Sequence, residues 1–343
     1  MFQDCSFACV LSYFPFIDMF RFQCGTPGGA TYCSIMDNTK TVASLADGSA
    51  VPDSSFGASG RGAGAKTFAV APKVTLDAAK RFAQELEQAD EPDTAFLKRI
   101  GHHIEIDDSC RDFIRSLQSA PIVVREGVDI YTVESELRDM YVLQSGWLLG
   151  YSHTPGGQRH VFRIYQPGDM IGVEDINWSY RTSNVATATA CVLTAFTKAE
   201  LRRIFDESPR LSRTVFSMAM LDRAMLFDQL KAIGRMNAEA RLATLLLQLY
   251  SRARLTDAIV ENEGGWSFHM PLTQSELGDT IGLTNVSVSR AMSALVEQGL
   301  LKRSGKVLTF PQPDRLVEMC DFTDRFLHVD RDWSMPERQR ASG

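Results

Sequence analysis

Leu272-Thr-Gln-Ser-Glu-Leu-Gly-Asp-Thr-Ile-Gly-Leu-Thr-Asn-Val-Ser-Val-Ser-Arg-Ala-Met-Ser-Ala-Leu295 is the stretch on which the reading of this chain turns. Thr273 is placed to cap a short helix, its hydroxyl accepting from an early backbone N–H. Gly278 lets two helices approach closely, and Gly282 supplies the turn conformation between them. Leu277, Ile281, Leu283, Val288 and Ala291 take the positions that must be buried where the helices meet. The pattern is that of a helix-turn-helix. Thr284 then caps the second helix, leaving Asn285, Ser287, Ser289 and Arg290 as its first outward polar residues. Such side chains reach base edges when a helix of this kind lies in the major groove of duplex DNA. The competing reading is an αα-hairpin in an ordinary small bundle.

Just downstream, Leu300-Leu-Lys-Arg-Ser-Gly-Lys-Val-Leu-Thr-Phe310 reads as a two-stranded wing turning at Ser304-Gly305. Lys302, Arg303 and Lys306 gather on it, suited to phosphate contact, which positions a protein without specifying sequence. A solvated charged face is the plainer account of the same three cations.

Upstream, Ser208-Pro209 opens a helix that runs to about Ile233 with neither Gly nor Pro. Val215, Met218, Asp222, Met225, Gln229 and Ala232 recur at alternating spacings of three and four, the rhythm of two helices wrapped around each other. This stripe is the expected homodimer seam; the alternative is a helix packed on its own domain, which Leu211, Leu221, Leu226 and Leu230 must partly serve in either case. Gly234 is the expected hinge before a second helix over about Asn237 to Arg252, which carries Leu242, Leu245, Leu246 and Leu249 on one face.

Between Pro121 and Thr197 short β-branched and aromatic runs alternate with glycines: Ile122-Val-Val124, Ile130-Tyr-Thr-Val133, Met140-Tyr-Val-Leu143, Trp147-Leu-Leu149 and His160-Val-Phe-Arg-Ile164. Glu126-Gly127, Ser145-Gly146, Pro155-Gly-Gly157 and Pro167-Gly-Asp169 supply the reversals. This spacing predicts the hairpins of a β-roll or barrel.

Arg125-Glu-Gly127, Tyr141-Val-Leu-Gln-Ser-Gly146 and Gln166-Pro-Gly-Asp-Met-Ile-Gly172 resemble the sensor β-roll of the Crp/Fnr superfamily of bacterial regulators, and the resemblance extends over residues from about 95 to 330. It implies an α+β chain with a jelly-roll sensor, a dimerising helix and a winged helix-turn-helix. It also implies a cytoplasmic homodimer that binds a palindromic site on double-stranded DNA and works with RNA polymerase. By the same resemblance Arg290 is the base-contacting arginine, whose fork suits the two acceptors of guanine. Val286 stands where relatives often carry a carboxylate, so a different half-site is expected; Asn285 and Ser287 are available to bases or phosphates, and Val286 to a thymine methyl. In the roll, Val173 replaces the ribose-holding Glu, the acid coming one later as Glu174, while Arg181 and Thr182 stand where the phosphate ligands would. Cyclic AMP is therefore not the expected effector; another effector, or none, is.

The expected organisation is an N-terminal extension with linker over 1–94, the sensor over 95–207, the dimerisation helix over 208–236, the DNA-binding domain over 237–330 and a tail over 331–343. Within the extension, residues 41–71 are rich in Ala, Gly and Ser and read as a linker, followed by a helix over 76–86 capped by Thr75. The chain has 343 residues and a net charge of −6, giving no general basic field for coating nucleic acid. Its first apolar stretch, Phe7 to Phe20, is broken by Pro15 and Asp18, so no membrane span is expected. Seven cysteines (Cys5, Cys9, Cys24, Cys33, Cys110, Cys191, Cys320) form no CxxC pair. A cysteine-run redox or iron–sulfur sensor is the alternative they offer, with Cys191 either a cluster ligand or a small core residue. A metal-dependent β-roll enzyme needs His-x-His with a Glu, which is lacking; His153 and His160 flank a turn, and His102 and His103 are adjacent. No catalytic site, bound metal or cofactor is expected.

Overall fold

The computed structural model describes residues 94–260, 264–330 and 333, together with two strands nearer the start. The chain divides into the units Met1–Lys66 and Thr67–Gly343. In the first, β1 (Phe22–Gly25) pairs antiparallel with β2 (Tyr32–Ile35), Cys24 opposite Cys33 in the register. The linker over 41–71, the helix over 76–86, Cys5, Cys9 and nearly all of the C-terminal tail lie outside the described residues.

In the second unit, α1 (Ala95–Gly101) and α2 (Asp108–Leu117) precede eight strands: β3 (Ile122–Val124), β4 (Asp129–Tyr131), β5 (Asp139–Ser145), β6 (Leu148–His153), β7 (Arg159–Tyr165), β8 (Met170–Ile171), β9 (Asn184–Thr187) and β10 (Cys191–Thr197). They form two four-stranded antiparallel sheets, ordered β3-β10-β5-β8 and β4-β9-β6-β7. Ile130, Leu143, Leu148, Tyr165, Ile171, Val185 and Leu193 fill the space between them. This is the predicted β-roll.

Both outer faces are covered as well. Phe96, Leu97 and Ile100 of α1, Ile114 and Leu117 of α2, and Leu201 and Ile204 of α3 (Lys198–Glu207) join Met140, Val142 and Phe196 on one side. On the other, Trp147, Leu149, Val161 and Ile164 enter the core of the C-terminal domain. Strands buried on both faces read as apolar runs rather than clean alternation, which is the texture the sequence shows.

The long helix α4 spans Pro209–Arg235, opened by the Ser208 hydroxyl. It runs through Gly234 and ends one residue past it, because Met236 is extended and the Asn237 side chain accepts from the Ala240 N–H to start α5 (Ala238–Ala253). The hinge is therefore Met236–Asn237, set by an asparagine cap, and not Gly234.

The stripe expected to form the dimer seam is the inward face of α4. Met218 packs among the residues of α1, α2 and α3, with Val215 beside it; Met225 packs with Leu255 and Phe326; Ala232 is buried. Asp222 pairs with Arg163 of β7, and the Gln229 amide donates to the Thr280 carbonyl. A three-four rhythm marks any helix with one buried stripe, and here it records packing on the protomer's own domains. The large apolar residues of α4 left exposed are Phe216, Met220, Leu226, Phe227 and Leu230, two of which are among the leucines expected to serve the helix's own domain.

Beyond α5 come β11 (Trp266–His269), α6 (Gln274–Ile281), α7 (Asn285–Glu297), β12 (Lys302–Ser304), β13 (Val307–Phe310) and α8 (Pro313–Cys320). The wing has three strands, ordered β11-β13-β12, rather than the two expected. β11 lies more than thirty residues before its partner β13, a non-local pairing that a local reading of 300–310 does not reveal.

A buried charge cluster joins these parts. Asp169, 1% exposed and lying between β7 and β8, pairs with Arg99 of α1 at 2.9 Å and with Arg252 of α5. Arg163 is 3.9 Å from it and binds Asp222 of α4 at 2.7 Å. Burial alone would push the Asp169 carboxyl up, but Arg252, Arg99 and Arg163 outweigh it and hold the group down at about 2. A carboxyl depressed in the folded state contributes stability above its unfolded value near 4 and loses it as pH falls toward 2. Asp169→Asn leaves buried guanidiniums uncompensated and is expected to lower unfolding free energy by about 3–5 kcal/mol. Urea denaturation at pH 7 tests this, and the deficit of the variant should shrink progressively below about pH 4.

Candidate nucleic-acid interface

Helix α6 begins at a reciprocal cap: the Thr273 hydroxyl accepts from the Glu276 N–H at 3.2 Å, and the Glu276 carboxylate accepts from the Thr273 N–H at 2.7 Å. At Gly278 a Cβ would stand 2.5 Å from the Leu283 carbonyl oxygen, closer than any side chain tolerates. Gly282 closes the helix at φ 68°, in the left-handed region. These glycines have the roles that the sequence assigns them. Leu277, Ile281, Val288 and Ala291 are buried in the domain core with Leu283 half-buried against it.

Thr284 caps α7, accepting from the Ser287 N–H at 3.2 Å, and its hydroxyl also meets the Ser287 hydroxyl at 2.9 Å. Ser287 is thus half-buried and tied to the cap, whereas Asn285, Val286, Ser289 and Arg290 stand open to solvent. One turn apart, Val286 and Arg290 share a face of the helix. The wing places Lys302, Arg303 and Lys306 in solvent around the Gly305 turn, Arg303 donating to the Gly305 carbonyl at 3.1 Å. Met270 donates to the Lys306 carbonyl at 2.8 Å and ties the wing tip to the strand the sequence reading missed. The domain also docks on the roll: Arg159 of β7 holds Asp279 of α6 at 2.8 Å.

The second candidate site is the loop from Gly172 to Thr182 in the roll. Arg181 is 2% exposed, lies 3.8 Å over the Tyr131 ring, donates to the Asp139 carbonyl and faces the Asp175 carboxylate at 3.7 Å. That same fully buried carboxylate accepts from the Thr182 N–H at 3.1 Å and from its hydroxyl at 2.5 Å. Glu174 accepts from the Gly172 N–H at 3.0 Å and from the Tyr165 hydroxyl, and burial first, then the Glu174 charge, raises that phenol well above its usual range. The side chains of Arg181 and Thr182 and the Gly172 N–H of this loop thus each face one of the chain's own carboxylates.

Cys191 is 1% exposed and donates to the Trp147 carbonyl at 3.3 Å; burial pushes its thiol up to about 11, as for a core residue. His153 and His160 are exposed on the β6–β7 hairpin, and His102 meets the Leu255 carbonyl at 3.2 Å. Among the described residues no group of three or more His, Cys, Asp or Glu could hold a metal ion, and no helix is long and apolar enough to cross a membrane.

Comparison with known proteins agrees with this geometry. A Crp-like helix-turn-helix domain family matches residues 240–319, and a cyclic nucleotide-binding domain family matches residues 121–208. The Escherichia coli K12 fumarate and nitrate reduction regulatory protein is 22% identical over 203 residues, covering 58% of this chain and 78% of that protein. Its Vibrio cholerae counterpart is 23% identical over 202 residues, covering 57% and 77%. The structure of FixK2 from Bradyrhizobium japonicum shares the fold at TM-score 0.52 and 23% identity, over 59% of this chain and 96% of that one. A CooA mutant from Carboxydothermus hydrogenoformans does so at TM-score 0.50 and 17% identity, over 60% and 89%. With a β-roll, a long connecting helix and a winged helix-turn-helix in this order, the chain belongs to the Crp/Fnr family of DNA-binding transcription regulators.

Proposed function

We propose that the protein is a cytoplasmic homodimer that binds a palindromic DNA site through α7 and the wing, recruits or blocks RNA polymerase there, and responds to an effector other than cyclic AMP or to none. It has no catalytic step. The observation that carries this reading is the open face of α7: Asn285, Val286, Ser289 and Arg290 are exposed beside a cationic wing, on a helix whose other side is locked in the core. Thr284 serves as the cap that orients this end, and Ser287 is available to a phosphate more readily than to a base. Lys302, Arg303 and Lys306 supply backbone contacts. A duplex selection from random oligonucleotides is expected to enrich an inverted repeat, and Arg290→Ala to abolish the enrichment; equal recovery by both proteins would sink the base-reading role.

Dimerisation is assigned to the outward stripe of α4. Phe216, Met220, Arg223, Phe227 and Leu230 repeat at four and three, and four of the five are apolar residues left in solvent. A second copy of the same helix would cover them and set two α7 helices about one DNA turn apart. Phe227→Glu with Leu230→Glu is expected to give a folded monomer by sedimentation, with DNA affinity lost. A variant that sediments as the wild type refutes the seam.

Exclusion of cyclic AMP is supported by the contacts of Arg181, Thr182 and Gly172 with Asp175 and Glu174. Millimolar cyclic AMP is expected to shift the thermal midpoint by less than about 1 °C, where a ligand at a hundred times its Kd would add about 2.7 kcal/mol of stability. For the cysteine-run alternative, the side chains of Cys5, Cys9, Cys24 and Cys33 lie outside the described residues, and Cys191 packs as core.

A further inference from the structure

We propose that Val286 is a specificity-determining residue that reads the C5-methyl of a thymine within two base pairs of the guanine contacted by Arg290. The inference rests on the reading of α7 as the recognition helix and deepens it by naming a base. Val286 is 59% exposed at the second position of the helix. A β-branched residue there weakens the helix relative to Ala, and this one leaves most of its surface in solvent. The cap of α7 is already made by Thr284, and Ser287 is drawn back onto that cap, so neither needs the valine.

Around Val286 the face is polar: Asn285 beside it, Ser289 three residues on and Arg290 four residues on, all exposed. It is an island of two methyl groups in the surface that enters the groove. Of the groups a base pair presents in the major groove, the thymine methyl is the apolar one; the others are hydrogen-bond donors and acceptors. A valine pressed against those would strip their water and return no partner, which is unfavourable. Against the methyl it buries apolar surface on both sides. Four residues of helix rise about 6 Å, which is less than two base steps of 3.4 Å each. That distance ties the thymine to the position of the guanine.

Deoxyuridine differs from thymidine by this methyl alone. In the selected duplex, each thymine of one half-site is replaced in turn by deoxyuridine, and affinity is measured by fluorescence anisotropy at fixed salt for the wild type, Val286→Ala and Arg290→Ala. At one position next to the guanine the wild type is expected to lose about fourfold, and Val286→Ala less than twofold. Alanine favours helix, and an unchanged thermal midpoint verifies that the variant is folded. Arg290→Ala should keep whatever thymine preference remains measurable while losing that for guanine. Equal wild-type affinity for thymine and deoxyuridine at every position overturns the proposal, as does full retention of the discrimination by Val286→Ala. Failure to select any duplex overturns the DNA-reading function itself, a distinguishable result.

Discussion

Asp169 is the constraint on which the rest of the molecule depends. It leaves the roll at the Pro-Gly-Asp turn and meets guanidiniums from α1 and α5, with Arg163 of β7 carrying the network on to Asp222 of α4. A carboxylate out of water is unfavourable unless paired and hydrogen-bonded on all sides. Here its oxygens also accept the Gln166 N–H at 2.9 Å, while Arg252 donates its other arm to the Ile164 carbonyl at 2.8 Å. The directional bonds fix how the β-roll, the connecting helix and the DNA-binding domain sit on one another, something apolar contact alone leaves adjustable.

That placement gives the reading head its geometry. One outer face of the roll contributes Trp147, Leu149, Val161 and Ile164 to the core of the C-terminal domain, so the two domains share one apolar cluster. Arg159 to Asp279 and Gln229 to Thr280 add polar ties to α6. With α6 anchored, α7 presents its N-terminal turn outward. Through these contacts the position of β7 is coupled to that of α6 and the helix that follows it.

In the loop around Arg181 the chain's own acids meet the arginine and the threonine beside it. Asp175 faces the Arg181 guanidinium at 3.7 Å and accepts from the Thr182 N–H and hydroxyl, so it supplies a negative charge to both. Arg181 stacked on Tyr131 completes the enclosure. An incoming anion would have to displace a carboxylate held by two hydrogen bonds and an ion pair.

The amino-acid sequence by itself determined the helix-turn-helix, because Thr273, Gly278, Gly282 and Thr284 act through caps, one close approach and one left-handed residue, all within a dozen positions. It also determined the β-roll and the long helix, whose signals of turns and periodicity are local. Only the tertiary structure decided which stripe of α4 faces inward: Val215, Met218, Asp222, Met225, Gln229 and Ala232 have a coiled-coil spacing, but the partners that bury them come from α1, β7 and residues beyond 250. The third wing strand and the Asp169 cluster were hidden for the same reason. Each joins residues far apart in the chain, and spacing along a chain carries no record of which distant side chain will supply the opposite charge or the covering surface.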